Sequence, residues 1–163
     1  MRTYSRQQFV EKIMQNFGKP DVIAGVATGG IAQGALVAQE LGLPFVYVRS
    51  EKKSHGMQNQ IEGVIDAGQS VVVIEDLVST GKSSLLAVDA LREVGAEVKG
   101  MVAIFTYQMD LAKKNFEEKN CQLVTLSNYE TLIHKAEKYV TEEDVQSLKE
   151  WRKDQQAWSD KWN

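Results

Sequence analysis

The chain has 163 residues, 43% of them apolar and 25% charged, proportions that suit a folded globular domain and argue against wholesale disorder. Two prolines, 12 glycines and a single cysteine exclude a collagenous or low-complexity chain, a disulfide framework and a cysteine-rich zinc site. A net charge of −3 supplies no general attraction to nucleic acid or to an anionic membrane, and the longest apolar run near the N-terminus is far too short for a signal sequence or a membrane span. One cytoplasmic domain over residues 1–163 is therefore expected.

In chain order, Ser5 with Gln8 reads as a capping box. It opens a helix whose stripe is Phe9, Ile13, Met14 and Phe17 and which ends near Gly18. Asp21 to Val26 is a short continuous apolar run, the pattern of a buried parallel strand. A helix over Ile31 to Leu41 closes at Gly42, and Pro44 to Val48 is a second strand. Arg49 to Gln60 has no apolar periodicity and reads as a loop. Gln69 to Glu75 is a third strand, followed by a helix over Ser83 to Val94 with Leu85, Leu86, Val88 and Leu91 on its apolar side and Gly95 just beyond its end. Val98 to Phe105 and Gln122 to Leu126 are the fourth and fifth strands. A helix around Asn128 to Tyr139 follows. The last helix starts at Thr141, with Asp144 completing a capping box and Val145, Leu148 and Trp151 on one face. Strands alternating with helices predict an α/β domain, a mostly parallel twisted sheet with helices on both faces.

In such sheets ligands bind at the carboxyl ends of the strands, and three of the loops there are unusual. In Ile74-Glu75-Asp76-Leu77-Val78-Ser79-Thr80-Gly81-Lys82-Ser83-Ser84, two acids end an apolar strand and a hydroxyl-rich turn opens a helix. Consecutive N–H groups, hydroxyls and a positive helix N-terminus make a phosphate cradle, and the acids can hold sugar hydroxyls or a divalent cation. The plain alternative is a capped helix after a strand with two exposed acids. Gly81-Lys82-Ser83 is not the end of a nucleotide-triphosphatase P-loop, because position 76, where that motif needs glycine, is aspartate. Ala27-Thr28-Gly29-Gly30, after the first strand, allows close backbone approach to a ligand, and equally a tight turn. Arg49 to Gly56 places Arg49, Lys52, Lys53 and His55 after the second strand. A mobile cationic lid over a polyphosphate fits it better than an idle solvated surface.

Together these loops describe a site for a sugar bearing phosphates at both ends. Ile74 to Ser83 resembles the 5-phosphoribosyl 1-pyrophosphate (PRPP) signature of the type I phosphoribosyltransferases. Tyr47 to Gly56 with Ile61-Glu62-Gly63 resembles the orotate phosphoribosyltransferases in particular. Ala103 to Tyr107 and Leu126 to Tyr129 are similar to the form found in Gram-positive bacteria. The resemblance runs from about Asp21 to Trp158. It implies the type I phosphoribosyltransferase fold and a Mg2+-dependent homodimer with shared active sites. In that family PRPP and Mg2+ bind first, and N1 of orotate then displaces pyrophosphate to give orotidine 5′-monophosphate, which is the reaction the resemblance implies.

By the same resemblance, the stretch Glu75, Asp76, Leu77, Val78, Ser79, Thr80, Gly81, Lys82 and Ser83 would hold PRPP. Ser79, Thr80, Gly81 and Ser83 would cup the 5′-phosphate, and Glu75 and Asp76 would meet the ribose hydroxyls. Asp76 counts with Lys53 and His55 among the catalytic residues. Thr28, Gly29 and Gly30 would contact pyrophosphate, Arg49, Lys53 and His55 would cover the leaving group, and Ser79 would touch orotate. No protein nucleophile and no direct metal ligand is expected, Mg2+ being held mainly through PRPP. Transfer to a purine or another base, and a non-catalytic PRPP- or nucleotide-sensing module, stay as alternatives.

Two positions and the N-terminal segment depart from the family pattern. Lys82 stands where glycine is common, and Ser50 where many members carry a second lid cation. Nothing before Asp21 resembles the family's N-terminal hood over the pyrimidine, so the chain is read as lacking that segment. His134 is expected on a solvated helix face and Cys121 as a core or edge thiol. Trp151 is expected in the core, with Trp158 and Trp162 docked on the body or a partner or frayed. Glu142, Glu143 and Asp144 are expected to serve a helix N-terminus.

Overall fold

The computed structural model describes residues 2–49 and 60–154. Its elements are α1 (Arg2–Asn16), β1 (Val22–Val26), α2 (Gly29–Leu41), β2 (Phe45–Val48), β3 (Ile61–Glu62), β4 (Ser70–Val78), α3 (Lys82–Glu93), β5 (Glu97–Thr106), α4 (Asp110–Glu118), β6 (Leu123–Asn128), α5 (Tyr129–Ala136) and α6 (Glu142–Lys153). The six strands form one sheet in the order β3-β2-β1-β4-β5-β6. All neighbours pair in parallel except β3, which returns antiparallel to β2 through Tyr47↔Glu62 and Val48↔Ile61.

Alternation along the central strands divides the interior into two cores. Val22, Ala24, Val71 and Val73 face Leu85, Val88 and Leu91 of α3 and Ala112 and Phe116 of α4. Ile23, Val72 and Ile74 face Phe9 and Ile13 of α1 and Val37 and Ala38 of α2. Every residue of β1 is buried, as a strand covered on both faces requires. A third, smaller cluster packs Tyr129, Ile133 and Val145 with Phe105, Tyr107, Leu148 and Trp151, and the Tyr129 hydroxyl donates to the Leu148 carbonyl at 3.0 Å.

At the amino ends of β1 and β4, Asp21 and Ser70 exchange four hydrogen bonds, among them Ser70 Oγ to Asp21 Oδ2 at 2.6 Å. This staple sets the register Ala24↔Val73 and Gly25↔Ile74. The carboxyl ends that carry the unusual loops therefore finish side by side.

The α/β reading holds, with local corrections. α1 starts at Arg2, so Ser5 lies inside the helix and is not its cap. Met14 and Leu86 are each 46% exposed, because Phe9 with Ile13 and Leu85 with Val88 already fill the faces turned to the sheet. β4 runs on to Val78, since β5 continues to pair with it as far as Thr106. β3 and α4 fall in stretches assigned no element. β3 is two residues that exist as a strand only through β2, and α4 buries little beyond Ala112 and Phe116, one turn apart. The Thr141–Asp144 capping box, the αL Gly42 after α2 and Gly95 (φ 85°) after α3 stand as expected. His134 is exposed and faces Glu137 at 3.4 Å, while Cys121 is buried, which pushes its thiol up to about 11. Trp158 and Trp162 lie outside the described residues.

Phe9 is completely buried between α1 and the sheet. Phe9→Ala should lower the unfolding free energy by about 3–5 kcal/mol, read from urea denaturation midpoints.

Candidate active site

The site is built where β1, β2 and β4 end. Adjacent strand residues point to opposite faces, so the two acids of β4 separate. Glu75 turns toward α3 and is buried, only 5% exposed, whereas Asp76 is exposed on the α2 side. Glu75 Oε2 accepts from Ser84 Oγ at 2.8 Å and its Oε1 from the Asp76 N–H at 2.9 Å. Burial pushes its carboxyl up to about 7, and the neighbouring Asp76 carboxylate acts in the same direction. The Ser84 hydroxyl and the Asp76 N–H pull it back in part.

Asp76 Oδ1 accepts from the Leu77 N–H at 2.7 Å, and its carboxylate lies directly against Gly29. A Cβ at Gly29 would overlap that carboxylate, and one at Gly30 would overlap the Ile74 carbonyl. The paired glycines thus have a use the sequence leaves open: they bring the β1–α2 turn onto the end of β4. Neither has a positive φ, so close approach is the reason for them. The turn also holds a cis peptide between Ala27 and Thr28, and the Ala27 N–H donates to the Val48 carbonyl at 2.8 Å. Thr28 is exposed beside Gly29.

The turn after β4 opens α3 without a side-chain cap, leaving first-turn N–H groups for a ligand. Gly81 is its N-cap, at φ 78° and ψ 0°. Lys82 is the first helical residue, exposed and with negative φ, so the left-handed position falls on Gly81 and a side chain at 82 is accommodated. Ser79 and Thr80 are half-buried and Ser83 is exposed. Leu77 is exposed, whereas Val78 is fully buried and offers the turn only its backbone.

Arg49 follows β2 at the same edge. Its Nη1 lies 3.4 Å from Glu62 Oε1, its N–H donates to the Gln60 carbonyl at 2.9 Å, and Gln60 Nε2 donates to its carbonyl at 2.7 Å. The two ends of the cationic loop are thereby tied together. Ser50, Lys52, Lys53, His55 and Gly56 lie outside the described residues.

Two residues of α4 complete the site and carry no sequence signal. Asn115 Nδ2 donates to the Thr80 carbonyl at 2.9 Å, and the Phe116 ring packs on Gly81. Among the described residues, no group of three or more ligating side chains forms a metal cage. Two clefts of about 630 and 940 Å3 lie beside α4, α5 and α6; of these residues only Phe116 lines either one, so chemistry rather than hollowness marks the site.

A profile of the phosphoribosyl transferase domain matches residues 7–137. The orotate phosphoribosyltransferase of Listeria innocua is 56% identical over 97% of this chain and 77% of its own length. The chain belongs to the orotate phosphoribosyltransferase family. Among solved structures it is similar to the orotate phosphoribosyltransferase of Aeropyrum pernix, at a TM-score of 0.74 and 29% identity over 82% of this chain and 74% of that one. It is also similar to the adenine phosphoribosyltransferase of Leishmania tarentolae, at 0.64 and 25% over 80% and 71%. Orotate and adenine enzymes thus share this fold, and the orotate assignment rests on sequence identity.

Gly29→Ala should leave the melting temperature near wild type, because the clashing atoms are the mobile end of one side chain. It should displace Asp76 and weaken PRPP binding about tenfold, measured by calorimetry. For Glu75, a folded pKa near 7 against an unfolded value of 4.5 means that the folded state binds more protons between those limits. Its contribution to stability is then lost as pH rises from about 4.5 to 7. Glu75→Gln should flatten that part of the melting-temperature profile and be more stable than wild type above pH 7.

Proposed function

We propose that this chain transfers the 5-phosphoribosyl group of PRPP to N1 of orotate, giving orotidine 5′-monophosphate and pyrophosphate in pyrimidine nucleotide synthesis. The observation that carries the reading is the contact of Asp76 with Gly29. It joins an acid pair, a phosphate-binding helix start and a glycine turn at one sheet edge, where β2 also delivers Arg49.

In this reading the 5′-phosphate sits in the Ser79–Ser83 turn, on N–H groups and hydroxyls at the start of α3. Asp76 meets the ribose hydroxyls from the open side. Glu75, with one lone pair on each oxygen already engaged by Ser84 and Asp76, keeps further acceptor sites for the same hydroxyls. As the C1–O bond lengthens, positive charge grows on the ribose ring, and the paired acids favour it. N1 of orotate takes C1 directly as the C1–O bond to pyrophosphate breaks, its own proton passing to solvent, so the protein supplies no nucleophile. Thr28, Gly29 and Gly30 face the pyrophosphate, while Arg49, Lys53 and His55 neutralise its growing charge, Lys53 or His55 donating a proton. Ser79 reaches orotate. Mg2+ carried on PRPP would screen the pyrophosphate, and the exposed Asp76 carboxylate, one oxygen held by the Leu77 N–H, fits an outer contact with it.

We further propose one phosphoribosyltransferase domain acting as a cytoplasmic homodimer, with lid residues serving the neighbouring subunit's site. Among the described residues, no helix is long and apolar enough to cross a membrane.

With PRPP and Mg2+, pyrophosphate release should be at least about 100-fold faster with orotate than with adenine, hypoxanthine or uracil. Lys53→Ala should lower kcat by about 100-fold or more at an unchanged melting temperature. PRPP binding without turnover on any base would favour the sensing module instead.

A further inference from the structure

The phosphate turn is held from behind by α4. Gly81, at φ 78° and ψ 0°, has the third-residue conformation of a type II turn. Type I and type II turns differ mainly by a flip of the central peptide, here Thr80–Gly81. Glycine accommodates either sign of φ at little cost. Nothing in the turn's own sequence therefore selects one orientation. The selection comes from residues about 35 positions away: Asn115 Nδ2 donates to the Thr80 carbonyl at 2.9 Å. The next residue, Phe116, is buried in the core shared by α3 and α4, and its ring lies where an added Cβ on Gly81 would meet Cε2 at 2.5 Å. Phe116 thus fixes where Gly81 sits, and Asn115 fixes which way the preceding peptide faces. A planar trans peptide aims its N–H opposite to its carbonyl, so drawing the Thr80 carbonyl toward α4 directs the Gly81 N–H away from it.

We propose that Asn115 is a positioning residue for this turn, holding the Thr80–Gly81 peptide so that the Gly81 N–H stays available to the 5′-phosphate of PRPP. The inference rests on the PRPP site proposed above. Asn115 itself touches no substrate. It is half-buried beside a groove of about 350 Å3 that Thr80, Lys82, Leu86 and Leu111 also line. Water entering that groove can satisfy the Thr80 carbonyl when Asn115 is replaced, so the fold survives. Water does not hold the peptide in one orientation.

The test compares two ligands that divide PRPP between them: ribose 5-phosphate, which keeps the 5′-phosphate, and pyrophosphate with Mg2+. Asn115→Asp keeps the size of the side chain but replaces the donor with an acceptor, and Asn115→Ala removes the group altogether. Both should bind ribose 5-phosphate about tenfold more weakly than wild type by calorimetry, the scale of one net hydrogen bond. Pyrophosphate affinity should stay within about twofold, KM for PRPP should rise more than kcat falls, and melting temperatures should stay within about 4 °C. Unchanged ribose 5-phosphate binding in both variants would overturn the assignment. Equal weakening of the two ligands would also overturn it, since that marks general loosening rather than the aim of one peptide. A wild-type protein that binds pyrophosphate but no ribose 5-phosphate would instead remove the proposed PRPP site, and this inference with it.

Discussion

Gly29 lies against the Asp76 carboxylate and Gly30 against the Ile74 carbonyl, and the missing Cβ at both positions lets the β1–α2 turn close onto the end of β4. The local architecture depends on this approach. A side chain at 30 would push α2 off the sheet, disturbing the core where Val37 and Ala38 meet Ile23, Val72 and Ile74. A side chain at 29 would leave the fold in place and move the acid. One turn therefore carries a packing constraint at Gly30 and a chemical one at Gly29. The Asp21–Ser70 staple at the opposite ends of β1 and β4 keeps the two strands in the register that this contact needs.

The strand's two-residue repeat gives the two adjacent acids different surroundings. Asp76 stands in the open beside the glycine turn. Glu75 is withdrawn toward Ser84 under α3, where desolvation pushes its carboxyl up to about 7. A carboxyl that both accepts hydrogen bonds and resists ionisation lowers the stability of the fold as pH rises, and its retention next to the mouth is an electrostatic cost met by packing elsewhere. Behind the turn that opens α3, α4 adds support of another kind. Asn115 and Phe116 act on a turn whose glycine would otherwise leave its peptide free to rotate. The site is thus held from both faces of the sheet, by α2 on one and by α3 and α4 on the other.

The family sets the base apart from the fold. A backbone similar to both an orotate and an adenine phosphoribosyltransferase fixes the fold without naming the acceptor. Agreement with the Listeria innocua enzyme over 97% of the chain supplies that distinction.

The elements with strong periodicity or caps were legible in the residues themselves: the run Val22 to Val26, the valines of β4, the αL Gly42 and the Thr141–Asp144 box. The groups of the proposed site also stand out in the sequence, because Glu75-Asp76 before Ser79-Thr80-Gly81 is a combination that local structure alone does not require. α4 and β3 were not legible. One buries a stripe of two residues and the other exists only as a partner for β2, so neither has a local signal strong enough to read. The exposure of Met14 and Leu86, the burial of Glu75 against Ser84, the contact of Asp76 with Gly29 and the hold of Asn115 on Thr80 belong to tertiary structure alone. Each joins residues from different elements or is decided by which face another element covers. A linear pattern records which groups are present and at what spacing, and only packing in three dimensions decides which of them touch.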